Sequence, residues 1–306
     1  MSTTQDSESS WISRLNGVIP SPRHLSHQPS PSSLESSITA SIYGSNRIET
    51  AGTTFSITAE LCRHVFRRSN PAMTSVDTPA EFPTHSHRAV VDDLALTGRK
   101  PADLTRAYKE VTQHAQAFMY LTKHIILCNQ PWSEELILET HRLLCSQLSQ
   151  TITESDEIGA GQYRTHEVAV KYDLKDGGRP KTTLCMRAKV VPRYMKELVD
   201  MLNQDGARAY SEPYEHATRY HHRFVFIHPF GDGNGRMGRL VLNVLLLKYA
   251  GHVVIYAIEK AAQKEYIDMV SRASKIFHEE DMEVELEDQT WHEEFAGRLK
   301  QKFDRR

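Results

Sequence analysis

The sequence predicts a mainly helical fold interrupted by one β-hairpin. Apolar residues recur at helical spacing through most of the chain after residue 34. One stretch, 167–186, changes to short strand-like runs around a glycine turn. No internal repeat is visible, and 306 residues suffice for one large domain or two small ones.

Taken in order, residues 1–34 are rich in Ser, Pro and polar side chains, as in Ser21-Pro22 and Pro29-Ser30-Pro31. Such a segment buries too little apolar surface to offset its ordering entropy, so it is expected to be disordered. A helical region follows at 35–68. Leu34, Ile38 and Ile42 are spaced i, i+4, i+8, Ser45 to Thr50 closes this run, and a second helix is expected from Ile57 to Arg67. Residues 69–102, broken by Pro71, Pro79, Pro83 and Pro101, are expected to be a linker with a short helix near Ala89–Ala95. The main domain is placed at 103–306. Asp103 is a plausible N-cap for a long helix to Cys128, and Ser133 with Glu134 and Glu135 starts another to Leu148. Val168-Ala169-Val170 and Thr182-Thr183-Leu184 flank the Asp176-Gly177-Gly178 turn as the hairpin. Helical periodicity returns at 191–204, 213–227, 236–250 and 258–277, and after the acidic run 279–288 a last helix is expected at 290–303.

Composition narrows the function classes. The net charge of -2 gives no global basic field for nucleic acid. No apolar run reaches the roughly 20 residues needed to span a bilayer; the patch Leu240–Ala250 is broken by Asn243 and Lys248. The N-terminus lacks the basic and apolar regions of a secretory signal. The expected setting is therefore the cytoplasm, with the nucleus as alternative, and neither nucleic acid nor membrane is expected as partner. Cys62, Cys128, Cys145 and Cys185 are widely spaced without a C-x-x-C pair, as free thiols in a reducing compartment are.

One twelve-residue stretch stands out. Tyr214, Ala217, His221, Phe224 and His228 follow one helical face that stops at Pro229, so His228 is expected at a helix end. The loop Gly231-Asp232-Gly233-Asn234-Gly235 contains three glycines in five residues, which lets backbone N–H groups approach an anion closely. A helix from Arg236 to Ala250 then follows, with Arg236 and Arg239 expected in its first turn. Cations oppose the dipole there, so two of them imply an anion in the same place, and guanidinium forks suit phosphate. Asp232 would repel phosphates unless a bridging Mg²⁺ is present, and His228 can serve as general base.

Other readings of these letters fail on position. Gly233, Gly235 and Gly238 also spell G-x-G-x-x-G, with a strand-like run from His252 to Ile258 and Glu259 at 21 residues after Gly238. Only 68 residues remain after Gly238, too few for a doubly wound sheet, and the preceding run reads as helix. No G-K-[ST] is present for a P-loop, and Met237 and Asn243 occupy EF-hand positions 6 and 12. A zinc site from His221, His222 and His228 has poor spacing; the first two are expected as core or helix-face residues. His85 and His87 are expected to be solvent-exposed, and Asn243 to brace the motif loop.

Residues 228–239 resemble the Fic domain motif, H-x-F-x-[DE]-G-N-G-R-x-x-R. His228, Phe230, Asp232, Gly233, Asn234, Gly235, Arg236 and Arg239 match its fixed positions. The resemblance extends to Gly161-Gln162-Tyr163-Arg164 with Val168 before the hairpin, to Val191-Pro192 with Met195 and Leu198 after it, and to Leu240, Asn243 and Leu246; it covers 35–275, with its core at 133–275. It implies a Fic-type helical bundle with a β-hairpin flap over the active site. It also implies transfer of AMP from ATP to a Ser, Thr or Tyr hydroxyl of a target protein. His228 would deprotonate the hydroxyl, Asp232 would hold Mg²⁺ (or Mn²⁺) on the α- and β-phosphates, and Gly233, Asn234 and Gly235 would line the anion hole. Arg236 and Arg239 would take the β- and γ-phosphates, Phe230 would anchor the loop, and Val168, Ala169 and Val170 would hold the target by strand addition. Transfer of UMP, phosphate or phosphocholine, or a purely binding role, are the alternatives. A homodimer is compatible with the family.

The resemblance also implies an inhibitory helix, [ST]-x-x-x-E-[GN]. Ser45 and Glu49 match it, but Thr50 departs from the usual Gly or Asn. Arg239 cannot serve Glu49 and a γ-phosphate equally, and a 4 Å pair at an effective dielectric of ~20 is worth about 4 kcal/mol before desolvation. The same Glu49 is implied in positioning water for removal of AMP, which leaves the net direction open.

Overall fold

A helix buried along almost its whole length forms the centre of the molecule. In this computed structural model, which describes residues 10–22, 25, 27–67, 101–146, 159–172, 181–256, 259–280 and 288–303, Leu240, Val241, Leu242 and Val244–Leu247 are all at most 1% exposed. Each such side chain contributes on the order of 1.5–3 kcal/mol by leaving water. The fold is mostly helical around this axis.

In chain order the helices are α1 (Trp11–Val18), α2 (Pro31–Ile48), α3 (Phe55–Arg67) and α4 (Pro101–Thr122), the last continued by a π-helical turn, Lys123–Leu127. Then come α5 (Glu134–Cys145), strands β1 (Ala169–Tyr172) and β2 (Lys181–Leu184), and a 3₁₀ turn at Ala188–Val190. The series closes with α6 (Val191–Gln204), α7 (Gly206–Ser211), α8 (Pro213–Ile227), α9 (Asn234–Ala250), α10 (Lys260–Glu280) and α11 (Glu293–Phe303). Helix α9 packs on α8 and also meets α2, α4 and α5, while α3 lies between α2 and α4. Strands β1 and β2 pair antiparallel, with Ala169 opposite Leu184 and Tyr172 opposite Lys181.

Local chemistry explains most helix starts. Ser133 Oγ accepts the Leu136 N–H at 3.1 Å, with Glu134 and Glu135 in the first turn of α5. Ser30 caps α2 ahead of Pro31 at the first helical position. Helix α4 begins at Pro101 instead of being capped by Asp103, since proline is pre-set for a first turn.

Two expectations need correction. Residues 1–34 are not uniformly disordered: Trp11, Ile12 and Leu15 are buried on one face of α1, and the Trp11 ring lies 5.1 Å from that of Phe66. Three apolar residues within five positions outweigh the polar composition around them. Residues 1–9 lie outside the described residues. The stretch after α9 is not a strand, although Val253, Val254 and Tyr256 are buried; together with the helix preceding the motif, this removes the dinucleotide-fold reading. The expected linker at 69–100, with its short helix, His85 and His87, lies outside the described residues, as do the hairpin tip at 173–180 and most of the acidic run, 281–287. Among the described residues no helix is long and apolar enough to cross a membrane.

Candidate active site

Helix α8 ends where the sequence places it. His228 is its C-cap in the left-handed region, φ 51° and ψ 59°, an uncommon conformation for a residue with a side chain. Its Nδ1 lies 3.1 Å from the Val225 carbonyl. That carbonyl can only accept, so Nδ1 carries the hydrogen and Nε2 keeps a lone pair, as a general base requires. Burial lowers the His228 pKa; the Val225 bond acts against this, and the Arg164 charge acts with it. The imidazole is therefore neutral at pH 7.

The loop that follows is held by its own side chains. Asn234 Oδ1 accepts the Phe230 N–H at 2.9 Å, and Asn234 Nδ2 donates to the Phe230 carbonyl at 2.8 Å. The Asn234 side-chain amide is thus committed to closing the loop, which leaves its main-chain N–H as the group available to an anion. Phe230 is fully buried and stacks on His141 with ring centroids 3.6 Å apart. His141 also donates from Nε2 to the Asp232 carbonyl at 3.0 Å and accepts the Gly161 N–H on Nδ1 at 2.9 Å. Burial pushes its pKa down to about 4, so it stays a neutral prop for the loop.

Helix α9 starts at Asn234, so Arg236 falls in the first turn and Arg239 in the second, not both in the first. Gly233, at φ 77°, is the N-cap and offers no side-chain bond. A Cβ on Gly233 would lie 2.5 Å from Cys145 Sγ, so only glycine fits. The first amides of α9 have no intrahelical acceptor, the arrangement that suits an anion. Arg236 lies beside them, 4% exposed, with Nη2 at 3.4 Å from Asp232 Oδ2. Its Nε and Nη1 are buried without a partner. Asp232 itself is mostly exposed, one oxygen held by the Gly233 N–H at 2.7 Å.

Arg239 meets a different environment. Its Nε donates to Ser45 Oγ at 2.8 Å, and its Nη2 donates to the Ser45 carbonyl at 3.0 Å and to Glu49 Oε1 at 2.6 Å. The guanidinium carbon also lies 5.7 Å from the Tyr266 ring centre. A Cβ on Gly235 would collide with Glu49 Oε1, so the motif glycine makes room for the carboxylate. The turn bearing Glu49 is anchored to α4: Asn46 Oδ1 lies 2.9 Å from His114 Nδ1, and Glu110 Oε2 accepts the Gly52 N–H at 2.8 Å. The structure thus brings Ser45 and Glu49 to the motif across about 190 residues of sequence separation.

Other expectations sort as follows. Val168, Ala169 and Val170 lie at the start of the β1 edge, where the Val168 carbonyl accepts the Cys185 N–H at 3.1 Å. Asn243 does not brace the motif loop; it bonds Ser41 Oγ of α2 and the Val254 N–H, both at 2.7 Å. His221 and His222 are buried, and among the described residues no group of side chains could hold a metal by itself. The cysteines are free. Sequence reading missed His141, whose only signal is its place on the buried face of α5 with Ile137 and Leu144. It also missed the work of Arg164, whose side chain is wholly buried and donates to the His228 carbonyl at 2.6 Å.

Residues 131–246 match the family model described as Fic/DOC family. Over 131 residues the chain is 34% identical to protein adenylyltransferase fic-1 of Caenorhabditis briggsae, covering 42% of this chain and 22% of that protein. It is 27% identical over 168 residues to protein adenylyltransferase Fic of Aedes aegypti, covering 55% of this chain and 30% of the relative. The chain thus spans between a fifth and a third of the length of these curated relatives. Among solved structures, a Fic domain containing signaling protein from Bacteroides thetaiotaomicron superposes with a TM-score of 0.62 at 20% identity, over 95% of this chain and 92% of the other. A Fic-1 structure from Caenorhabditis elegans gives 0.53 at 18% identity, over 96% and 71%. The likeness in fold therefore runs well beyond the matched segment. The segment 131–246 is thus similar to the Fic/DOC family, and the fold of the chain is like that of solved Fic proteins.

Proposed function

We propose that this protein is a protein adenylyltransferase, moving AMP from ATP to a hydroxyl of a protein, and that Glu49 restrains it. The observation that carries this reading is Arg236, a buried guanidinium with unpartnered donors beside an uncapped helix N-terminus. A buried cation left short of partners is costly, and a bound polyphosphate would supply them.

The hydroxyl oxygen attacks the α-phosphorus while its proton passes to Nε2 of His228. A new P–O bond forms as the bond to pyrophosphate breaks, and pyrophosphate leaves. The amides of Asn234 and Gly235 together with Arg236 hold the phosphates in line. Asp232 fits a divalent cation, since one exposed carboxylate plus substrate phosphates is a common Mg²⁺ environment; when bound, Mg²⁺ (or Mn²⁺) would offset phosphate charge. Val168, just before β1, with Ala169 and Val170 of β1 would hold the target segment as a flap. Arg239 is the natural ligand of the terminal phosphate, and Glu49 with Ser45 occupies it. The matched relatives, named adenylyltransferases, support the choice of AMP over other groups.

Incubating the Glu49→Gly protein with ATP and Mg²⁺ and weighing it intact should reveal added AMP. His228→Ala in the same background should show none. If Glu49→Gly acquires no group from any nucleotide, the transferase reading is wrong.

A further inference from the structure

Arg164 carries more contacts than a helix cap requires. It lies in the segment leading to β1, with its side chain wholly buried. Its Nε donates to the His228 carbonyl at 2.6 Å, and Nη2 lies 3.4 Å from the Ile227 carbonyl. These are terminal carbonyls of α8, which have no intrahelical donors. Its own main-chain N–H donates to the Pro229 carbonyl at 2.9 Å. The remaining donors turn the other way: Nη1 donates to the His166 carbonyl at 2.9 Å, and Nη2 also donates to the Met186 carbonyl. His166 precedes β1 and Met186 follows β2, so both feet of the hairpin and the C-cap histidine converge on one guanidinium. Glu167, at 3.9 Å and largely exposed, is a weak counter-charge and accepts the Ala188 N–H instead. The planar fork is therefore held by backbone carbonyls on two separate structures.

We propose that Arg164 is a positioning residue that registers the β-hairpin against His228, so that a protein segment paired with the hairpin presents its hydroxyl to Nε2. This rests on the transferase reading. A rigid fork can fix the spacing of carbonyls on two elements, whereas a lysine ammonium supplies donors from one point and cannot span them. Charge is preserved in Arg164→Lys, while the fork that spans the two elements is lost. A misplacement near 1 Å costs roughly 100-fold in a reaction that depends on a held nucleophile. Water, which the hairpin does not hold, is indifferent to that register although His228 serves it equally.

The test compares Glu49→Gly with Glu49→Gly/Arg164→Lys as full chains. Each is given ATP and Mg²⁺ with a His228→Ala copy of the chain as protein acceptor. AMP on the acceptor and AMP released to water are measured together. Arg164→Lys should lower transfer to protein by roughly 100-fold while release to water changes by no more than about threefold. Equal falls in both, or no fall in either, would overturn the proposal. Hydrogen exchange on the same proteins supplies a reading independent of activity. Amides of 168–172 and of 227–230 should exchange faster together in the variant, with the α9 amides unchanged. Faster exchange on one side alone, or throughout the chain, also counts against the proposal. If the Glu49→Gly parent transfers AMP to neither acceptor nor water, the transferase reading fails separately, and the exchange result still decides whether Arg164 joins hairpin to histidine.

Discussion

Arg236 and Arg239 stand three residues apart on one helix and are both almost wholly buried, yet their surroundings are opposite. Arg236 keeps two donors without partners and faces a mostly exposed aspartate at 3.4 Å. Arg239 is bonded to Ser45 and to Glu49 at 2.6–3.0 Å. The first arrangement is unstable on its own account and becomes complete with an anion. The second is already complete and has to be undone before an anion can use it. Under the proposed function one half of the cradle is prepared and the other is occupied, so a phosphate and Glu49 would compete for Arg239.

The largest effect should come from vacating the occupied half. A charge-assisted hydrogen bond contributes about 1.5–3 kcal/mol, the lower figure being appropriate to a carboxylate that is 38% exposed. Glu49→Gly should therefore tighten ATP roughly tenfold or more by calorimetry. Unchanged affinity would mean that Arg239 does not take phosphate. On the prepared half, Arg236→Met should weaken ATP by about tenfold and yet raise the melting temperature by a few degrees, about 2–4 °C per kcal/mol, because a buried unpaired charge is removed. A variant that loses both affinity and stability would show that Arg236 has structural partners, and the contrast between the two arginines would disappear.

The prepared half was legible in the sequence because it is local. Glycines, a carboxylate and arginines within twelve residues announce a turn before a helix, and the helix periods on either side placed α8 and α9 to within two residues. The occupied half was legible only through the resemblance, since Ser45 and Glu49 meet Arg239 across the fold and no periodicity reports that. The props were not legible. His141 and Arg164 act on backbone carbonyls, and any carbonyl looks like any other in a sequence. Helix α1 was hidden for a different reason: its eight residues bury one short apolar face within a Ser/Pro-rich composition, and tertiary packing rather than local pattern makes it helical.

Both halves lean on buried neutral histidines, which makes the comparison sensitive to acid. Burial pushes His141, under the Arg236 side, down to about 4, and holds His114, beside the Glu49 turn, well below 6.5. These folded-state values lie below the unfolded value of 6.5. The unfolded chain therefore binds protons first, and stability is full above pH 6.5 and lost as pH falls toward 4. Each such histidine costs about 1.4 kcal/mol per pH unit within that window. Urea midpoints at pH 7 and pH 5 should show the loss, and His141→Gln should reduce its slope. An unchanged slope would mean that the Arg236 side does not depend on a neutral His141.

The smallest effect concerns a residue at which the two halves share a device. His228 and Thr50 both hold left-handed conformations, at φ 51° and φ 53°, each ending a helix that serves the site. At His228 the carbonyls of the cap accept from Arg164. At Thr50 a β-branched side chain stands where the family pattern has Gly or Asn, and the strain is on the order of 1–2 kcal/mol. That strain weighs against the state in which Glu49 reaches Arg239. Thr50→Gly relieves it, offset by about 0.5–1 kcal/mol from the greater freedom of glycine in the unfolded chain. The net gain, of order 0.5–1 kcal/mol, should deepen the restraint and lower AMP transfer roughly two- to fivefold, with a slightly higher melting temperature. In a Glu49→Gly background the substitution should leave transfer unchanged, because no carboxylate remains to be held. An equal fall in both backgrounds would place the effect outside the inhibitory turn, and the occupied half of the cradle would then owe its restraint to the Ser45 contacts alone.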